Sequence, residues 1–253
     1  MVTYMDCMRR LPLDGLFNAR ELGGYPVPGG MTKYGVFVRS EIPLFLTKGD
    51  IEVLKNYGIT ADIDLRGDVE AERMKDVLMD EPWLEYARIS LFDNRLVLGM
   101  KDSAGDLPGD FAWGKYYIGM AESSRDWIKA VLEKLEKTGG AALFHCTTGK
   151  DRTGIITAML LGLCGVSESD IVADYCVSQV YLEPVYPRLE KLMPPIPGRG
   201  GVDRSFMGTL PESMSQLLGY LNESFGGVRG YLESCSLTEE TLESLRSRLI
   251  HRI

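Results

Sequence analysis

Histidine is scarce in this chain of 253 residues: only His145 and His251 are present, and the five cysteines show no CxxC spacing. Structural zinc sites are built from four Cys or His ligands at short, regular spacing. The sequence therefore argues against a structural zinc site. The odd number of scattered cysteines also argues against a disulfide framework, and we expect free thiols in a reducing compartment.

Basic residues and long apolar runs are also in short supply. Lys and Arg total 28 against 36 Asp and Glu, which gives a formal net charge of −8. This balance argues against nucleic acid or an anionic membrane as the main partner, although a local field could still favour a phosphorylated substrate. The apolar run 155–166 is too short to span a bilayer, and the N-terminus has no apolar stretch of signal length. We expect a cytoplasmic protein, with secretion by an unusual route left open.

Hydrophobic periodicity and turn residues predict alternating strands and helices, followed by helices only. The predicted strands cover 36–39, 59–65, 85–92 and 141–144. The predicted helices cover 47–58, 68–75, 111–121, 124–138, 154–163, 168–193 with a break at Pro184 and Pro187, 212–225, 228–234 and 238–251. The order predicts an α/β core with helices on both faces. We expect one domain over 1–253, with a candidate lid region at 94–123 and a helical C-terminal part at 204–253.

The most informative stretch joins the strand at 141–144 to the apolar helix that follows. It reads His145-Cys146-Thr147-Thr148-Gly149-Lys150-Asp151-Arg152-Thr153-Gly154. A strand that turns into a helix points successive backbone N–H groups and the helix N-terminus at one small volume. The planar guanidinium of Arg152 suits a tetrahedral oxyanion, and Cys146 supplies a nucleophile. The pattern predicts phosphoryl transfer through a cysteine.

Each residue of this stretch then has a predicted role. The backbone donors, the helix N-terminus and Arg152 would each favour the thiolate of Cys146, which attacks phosphorus to give a phosphocysteine. Arg152 would bind two phosphoryl oxygens, and Thr153 would donate its hydroxyl to the departing sulfur. His145 would orient the loop. The predicted phosphate-binding set is Thr147, Thr148, Gly149, Lys150, Asp151 and Arg152, and neither a metal nor another cofactor is required.

Three other readings of this stretch fit less well. A nucleotide-binding P-loop needs a Gly at the position of Phe144 and a Ser or Thr at that of Asp151. An arsenate reductase needs partner cysteines within reach, and none lies near Cys146 in the sequence. A phosphate-binding module without activity would not need Cys146, Arg152 and Thr153 together.

The string resembles the His-Cys-x5-Arg-Thr-Gly signature of the protein tyrosine phosphatase superfamily. It is most similar to the bacterial and fungal branch of tyrosine/serine, or triple-specificity, phosphatases. Family stretches also occur in the same order elsewhere, so the resemblance covers nearly the whole chain: 18–25, with Glu21 for the usual Asp, then 39–41, 63–66 and 225–232. The resemblance implies a four- or five-stranded, mainly parallel sheet, with the signature loop between its last core strand and the central helix.

The resemblance also bears on the general acid and the substrate. The branch carries an Asp inside the signature loop, which matches Asp151; in most of the superfamily the acid lies on a separate loop, for which Asp93 is the candidate. The predicted function is metal-independent hydrolysis of protein phosphotyrosine, with dual specificity. Lipid phosphatases have a Lys at the place of Lys150, so a phosphoinositide phosphatase is the alternative; the other interpretation of Lys150 is a solvated lysine that pairs with Asp151.

Two further groups of residues have two interpretations each. Three arginines could reach the site or form ion pairs with nearby carboxylates: Arg20 with Glu21, Arg39 with Glu41, and Arg66 with Asp68. Three aromatic residues on one predicted helix could line a substrate groove or pack in the core: Trp113, Tyr116 and Tyr117.

Overall fold

The computed structural model of the protein describes residues 9–91, 113–192 and 208–252. Within these ranges the strands form a five-stranded and a three-stranded sheet. The strands are β1 (Arg20–Glu21), β2 (Pro26–Val27), β3 (Gly30–Thr32), β4 (Phe37–Ser40), β5 (Ile59–Asp64), β6 (Glu85–Arg88), β7 (Ala141–His145) and β8 (Ile250–Arg252).

The helices of the described ranges fall mostly where the apolar periodicity predicts them. They are α1 (Lys48–Tyr57), α2 (Asp68–Arg73), α3 (Trp113–Ser123), α4 (Arg125–Glu136), α5 (Asp151–Cys164), α6 (Glu168–Leu182), α7 (Tyr186–Leu189), α8 (Pro211–Phe225), α9 (Val228–Ser234) and α10 (Glu239–Leu249). The predicted long helix at 168–193 is interrupted between α6 and α7, because Pro184 cannot continue an α-helical hydrogen-bond pattern; Pro187 lies in the first turn of α7, where proline is tolerated. None of the helices in these ranges combines the length and the apolar character needed to cross a membrane.

The main sheet has the strand order β1-β4-β7-β5-β6. Strands β4, β7, β5 and β6 run parallel, and β1 pairs antiparallel with β4 at the edge. The expectation of a four- or five-stranded, mainly parallel sheet is therefore confirmed. The parallel strands bring the ends of β4, β5 and β7 together, since Ser40 and Asp64 are both register partners of His145.

Both faces of this sheet are covered, as predicted. Phe37 and Phe144 belong to a large apolar cluster that includes the buried side chains of α4, α5 and α8. The adjacent residues Val38 and Leu143 belong to a second cluster with Leu54 of α1. Because successive side chains of a strand point to opposite faces, these two pairs identify the two layers of helices.

Local sequence signals explain where α1 begins and ends. Thr47 Oγ1 accepts the N–H of Asp50 at 3.1 Å, and Asp50 Oδ2 accepts the N–H of Thr47 at 2.8 Å. This is a complete capping box with Asp in the place usually taken by Glu or Gln. Gly58 ends the helix with a φ of +94°, a conformation that costs glycine little.

The second sheet was not predicted from the sequence. It has the order β2-β3-β8, and its strands are two or three residues long, too short for a period of two to stand out. The predicted C-terminal helix at 238–251 is therefore wrong at its end: it stops at Leu249, and Ile250 pairs with Thr32 instead. The predicted strand at 85–92 is also too long, since β6 ends at Arg88. Of the candidate lid region 94–123, only α3 lies within the described residues.

Candidate active site

The stretch singled out in the sequence forms a loop at the carboxyl end of the parallel sheet. We call residues 145–153 the cradle. It begins at the last residue of β7 and ends in the first turn of α5, whose N-cap is Lys150. The helix starts at Asp151, three residues before the predicted start, so Asp151, Arg152 and Thr153 all lie in its first turn. Ligands of open parallel sheets bind at this end of the strands.

The backbone of the cradle is held from behind through its carbonyl groups. Three carbonyl oxygens accept hydrogen bonds from two segments, one at Asn18 and one at 39–42: Thr147 from the N–H of Ile42 (3.1 Å), Thr148 from Nδ2 of Asn18 (3.1 Å), and Gly149 from Nη2 of Arg39 (2.7 Å). In a trans peptide the C=O and the following N–H point in opposite directions. The N–H groups of residues 148–150 therefore face away from these donors, which creates an anion-binding surface on the other side.

Gly149 is required by both its conformation and its surroundings. Its φ is +69°, a region that residues with a side chain rarely adopt, and a Cβ atom would lie 2.1 Å from the carbonyl oxygen of Ser40. The turn therefore packs directly onto the end of β4, and no other residue fits there without moving the backbone.

The predicted nucleophile lies at the floor of the cradle. Cys146 directly follows the last residue of β7, and its side chain is only 2% exposed. Thr153 is buried as well, and within the described ranges its Oγ1 makes no hydrogen bond. A buried hydroxyl without a fixed acceptor can turn toward a negatively charged group.

Arg152 is held by a carboxylate that the sequence analysis did not identify. Its Nη1 and Nη2 lie 2.6 and 2.7 Å from the two oxygens of Glu70, and Thr147 Oγ1 donates to the same carboxylate at 2.6 Å. Burial raises the pKa of Glu70, but the charge of Arg152 and its hydrogen bonds outweigh this and lower the pKa to about 2. Nη1 also approaches the carbonyl oxygen of Leu65 at 3.4 Å. Within the described part of the chain, Nε of Arg152 has no acceptor and remains for a phosphoryl oxygen.

Asp151 is positioned by a chain of two tyrosines. The hydroxyl of Tyr117 donates to Asp151 Oδ1 at 2.5 Å, and the hydroxyls of Tyr117 and Tyr175 lie 2.7 Å apart. Burial, and then the charge of Asp151, raise the pKa of Tyr117 well above its usual value. Tyr117 thus belongs both to the core and to the site. Tyr116 is half-buried, and the same two causes raise its pKa to about 12.

Lys150 is not the solvated lysine that one interpretation of the sequence described. Its side chain is 1% exposed, and Nζ lies 4.2 Å from the centre of the Trp113 ring and 3.2 Å from the carbonyl oxygen of Gly208. Nζ is also 3.6 Å from Asp151 Oδ1. Burial lowers the pKa of Lys150, although Asp151 opposes this effect. The ammonium group therefore contacts α3, where Trp113 packs in the core.

His145 contacts the cradle and the sheet at the same time. Its Nδ1 lies 3.0 Å from the carbonyl oxygen of Cys146, which suits the predicted role of orienting the loop. Its Nε2 lies among buried carboxylates, 2.8 Å from Asp76 Oδ2 and 3.4 Å from Asp62 Oδ1. The imidazole itself is fully buried. Of the described residues, these three are the ones whose ligand atoms are grouped closely enough to hold a metal ion.

The ion pairs predicted for the three arginines are wrong. Arg20 and Arg39 both pair with Asp174 of α6, and Arg66 pairs with Asp64. The expected partners are engaged elsewhere: Glu21 accepts the N–H of Gly35, Glu41 accepts the N–H groups of Phe17 and Asn18, and Asp68 pairs with Arg88. Asp174 is far from Arg20 and Arg39 in the sequence, so local proximity does not reveal it. Asp64 and Asp68 are both two residues from Arg66, so proximity alone does not choose between them. Arg39 is nevertheless part of the site through its contact with Gly149.

Sequence reasoning missed Glu70, Asn18 and Asp174 as residues that support the site. A signal for Glu70 was available: it lies in the first turn of the helix after β5, and β5 neighbours β7 in a parallel sheet. The carboxyl ends of neighbouring parallel strands meet, so a carboxylate there falls close to Arg152. Asp93, the alternative general acid, lies outside the described residues.

The comparison with known proteins agrees with this geometry. A family model described as "Tyrosine phosphatase family" matches residues 11–251. The chain belongs to the tyrosine phosphatase family. The resemblance noted in the sequence is thereby confirmed, and with it the enzyme class of a tyrosine phosphatase.

Individual relatives carry related names. The chain is 32% identical over 224 residues to the tyrosine-protein phosphatase of Nostoc commune, which covers 84% of this chain and 74% of that one. It is 25% identical over 123 residues to the triple specificity protein phosphatase PtpB of Mycobacterium tuberculosis, over 44% of this chain and 45% of that one. The crystal structure of P. aeruginosa TpbA aligns with 85% of this chain and 96% of its own length at 12% identity and a TM-score of 0.42.

Proposed function

We propose that the chain hydrolyses phosphomonoesters through a covalent phosphocysteine, with protein phosphotyrosine as the main substrate. In the first step the thiolate of Cys146 attacks phosphorus, the bond to the leaving oxygen breaks, and Asp151 gives that oxygen a proton. In the second step Asp151 takes a proton from water, the water oxygen attacks phosphorus, and phosphate and the thiolate are released. Arg152 and the N–H groups of 147–152 bind the phosphoryl oxygens in both steps, while Thr153 donates to the departing sulfur.

One observation carries this proposal: the cradle is already shaped for a tetrahedral anion. Its carbonyl groups are bound from behind by Asn18 and by the segment 39–42, and the guanidinium of Arg152 is fixed by Glu70 with Nε left over. Donors that are fixed before the reaction need not reorganise as charge develops in the transition state. The phosphatase domain is proposed to cover 1–253, since the family match spans 11–251.

Asp151 is the general acid that we favour over Asp93. Its Oδ1 accepts from Tyr117, so the carboxyl group has a defined orientation beside the anion-binding surface. Its side chain keeps 22% of its surface exposed, which allows the leaving oxygen to reach it. The cradle would then supply the nucleophile, the anion donors and the acid from nine consecutive residues.

Substrate choice is inferred from the relatives and from Lys150. The name of the Nostoc commune relative supports phosphotyrosine, and the words "triple specificity" in that of the Mycobacterium tuberculosis relative support activity on more than one class of substrate. Phosphoinositide hydrolysis remains a prediction, and the buried position of the Lys150 ammonium gives it little support. The described cysteines are free, which supports action in a reducing compartment such as the cytoplasm.

The test is a kinetic panel of phosphotyrosine peptides, phosphoserine peptides and phosphoinositides, run with a thiol reductant and a chelator. We expect the highest kcat/KM for phosphotyrosine, no activity in Cys146→Ser, and unchanged activity in Cys176→Ser, a half-buried free cysteine outside the cradle. Acid quenching during turnover of a labelled substrate should trap one phosphoryl group on Cys146. A wild-type protein that is inactive in this panel would refute the proposal.

A further inference from the structure

A second group of chemically reactive side chains lies behind the cradle. Asp62 of β5, Asp76 after α2 and His145 at the end of β7 converge there, and each is at most 1% exposed. One ligand atom from each of them lies within 4.8 Å of the others. Three elements of the fold therefore meet at one buried polar point that the phosphatase reaction does not use.

Within the described residues, the four polar atoms that face this point have no hydrogen-bond partner outside the group, although Nε2 of His145 lies 2.8 Å from Oδ2 of Asp76. Within the described ranges, both carboxylate oxygens of Asp62, Oδ2 of Asp76 and Nε2 of His145 are buried and make no well-aligned hydrogen bond. Neighbouring Asp64 differs, because its oxygens accept from Arg66 and from Tyr86. Leaving buried polar atoms unpaired costs free energy, so four of them facing one another indicate a group that binds between them.

The net charge of the side chains at this point suits a divalent cation. Asp64 and Arg66 neutralise each other at 2.7 Å. The two carboxylates of Asp62 and Asp76 then remain opposite one imidazole, and with a neutral imidazole the total is two negative charges.

The surroundings of these ligands match those of metal sites. A histidine that binds a metal usually donates its other ring nitrogen to a carbonyl or carboxylate, which fixes the tautomer. Nδ1 of His145 lies 3.0 Å from the carbonyl oxygen of Cys146, so Nε2 is the nitrogen left to bind. Asp76 is oriented in the same way, since its Oδ1 accepts the N–H of Leu78 at 2.8 Å.

The site also borders a cavity at Asp76. A partly open cavity of about 170 Å³ is lined by Asp76 together with Arg66, Ala71, Met79, Tyr86 and Arg88. The two arginines do not leave an uncompensated positive charge, because Arg66 pairs with Asp64 and Arg88 with Asp68. Water in this cavity could complete the coordination beside Asp76.

We propose that Asp62, Asp76 and His145 bind one zinc ion; two of these ligands are carboxylates, so the scarcity of Cys and His in the sequence did not reveal the site. One imidazole nitrogen and two carboxylate oxygens are ligands that Zn²⁺ accepts, with a fourth position for water. The ion would tie β5, β7 and the segment after α2 together beneath the cradle. Its role is structural, since the phosphoryl chemistry takes place on the other side of the Cys146 backbone.

Cobalt(II) provides the sharpest test, because its absorption spectrum reports the ligands of a zinc site. The metal-free Cys146→Ser protein, which lacks the thiol of the cradle, is titrated with Co²⁺ and then with Zn²⁺. We expect one equivalent of Co²⁺ to bind with release of protons and visible ligand-field bands, with no sulfur-to-cobalt charge-transfer band, and then to be displaced by Zn²⁺. The thermal midpoint should rise with bound metal.

Matched carboxylate variants locate the site. Asp76→Asn keeps the oxygen that accepts from Leu78 but removes the ligand charge, and we expect binding to weaken by at least about 10-fold. Asp80→Asn, an exposed carboxylate four residues away, should bind like the parent. If Asp76→Asn does not fold, Asp62→Asn is tested in its place. The titration of Cys146→Ser shows in either case whether the protein binds the metal.

Several results would overturn the zinc site: no stoichiometric uptake by Cys146→Ser, a sulfur-to-cobalt band, or equal weakening in Asp80→Asn. The outcome is independent of the proposed reaction, because Cys146→Ser is expected to lack activity whether or not it binds metal. A phosphatase that fails the kinetic panel could still bind zinc, and an active phosphatase could fail this titration.

Discussion

The carboxylate of Glu70 holds both terminal nitrogens of Arg152, at 2.6 and 2.7 Å, and accepts the hydroxyl of Thr147 as well. One residue of a short helix thus fixes two parts of the cradle. The pairing engages the end of the guanidinium and leaves Nε for the substrate. The charge of Arg152 and the hydrogen bonds outweigh burial and lower the pKa of Glu70 to about 2, so the carboxylate stays charged at any working pH.

Replacing this carboxylate should weaken binding of the transition state. We expect Glu70→Gln to lower kcat/KM by roughly 10- to 100-fold, about 1.4–2.7 kcal/mol, because Arg152 loses its charged partner and its fixed orientation. Steady-state kinetics and inhibition by orthovanadate measure the effect. Glu72→Gln, on the exposed side of the same helix, is the control. A gain in activity would instead mean that Glu70 competes with phosphate for Arg152.

The Tyr117–Asp151 contact predicts a dependence on the leaving group. Asp151→Asn should lower kcat by about 10²-fold or more for alkyl and weakly acidic aryl phosphates, and remove the basic limb of the pH profile. Tyr117→Phe should cause a smaller loss with the same trend, since Asp151 remains but loses the 2.5 Å hydrogen bond that orients it. p-Nitrophenyl phosphate, with a good leaving group, should be affected least. A large loss in Asp93→Asn with little change in Asp151→Asn would reverse the assignment.

Gly149 allows a clean test of how rigid the cradle is. In Gly149→Ala the new methyl group would meet the carbonyl oxygen of Ser40 at 2.1 Å, and the φ of +69° adds strain of about 1–3 kcal/mol. We expect loss of phosphate binding and a lower free energy of unfolding, measured by isothermal calorimetry and urea denaturation. Gly139→Ala has no heavy atom within 4 Å of the new Cβ and should behave like the wild type. Equal behaviour of the two variants would show that the loop adapts easily.

Asp174 is the common partner of two buried arginines, Arg20 and Arg39. Removing one member of a buried charge network leaves the others uncompensated, which costs about 3–5 kcal/mol. We expect Asp174→Asn to lower the free energy of unfolding by this amount in urea denaturation. It should also loosen the cradle, because Arg39 holds Gly149. Glu168→Gln, exposed on the same helix, should change little; a loss below about 1 kcal/mol in Asp174→Asn would contradict this account.

The free energy of unfolding should depend on pH through the protonation of Glu21. Burial raises the pKa of Glu21 from 4.5 to about 7, against opposing hydrogen bonds from Tyr57 and Gly35. The folded state therefore holds a proton that the unfolded state has lost between these values, so the stabilisation is complete below pH 4.5 and is lost as the pH rises to 7. The loss is about 3 kcal/mol. Subtracting the urea-denaturation curve of Glu21→Gln should reveal this slope, whereas the curve of Glu52→Gln, an exposed control, should retain it; parallel curves for wild type and Glu21→Gln would contradict the assignment.

The sequence was most informative where physical signals are local. The capping box at Thr47, the turn at Gly58, the breaking prolines and the alternation of strands and helices predict most of the main sheet and its two layers of helices. The signature string predicts the cradle and places Cys146 and Arg152 within it. Strands of two or three residues could not be predicted, because they are too short to show a hydrophobic periodicity.

The supporting residues could not be predicted because their partners are distant in the sequence. Asp174 lies more than 130 residues from both of its arginines, and Asn18 is equally far from Thr148. Their proximity in the sequence suggested Glu21 and Glu41 as ion-pair partners of Arg20 and Arg39. In the structure, both carboxylates accept hydrogen bonds from backbone N–H groups instead. Predicting the pairing of Glu70 with Arg152 would have required the strand order, which is known only from the assembled sheet.

The cradle is bound from behind by Asn18, Arg39 and Ile42, and these contacts predict an order of events during folding. The signature string and its helix are local, but the anion-binding shape requires the N-terminal segment to arrive across more than 100 residues of chain. Closing such long loops is slow compared with forming a helix. Catalytic power should therefore return late in refolding, well after helical structure, and a nascent chain should gain activity only when its first forty residues have docked beneath the loop.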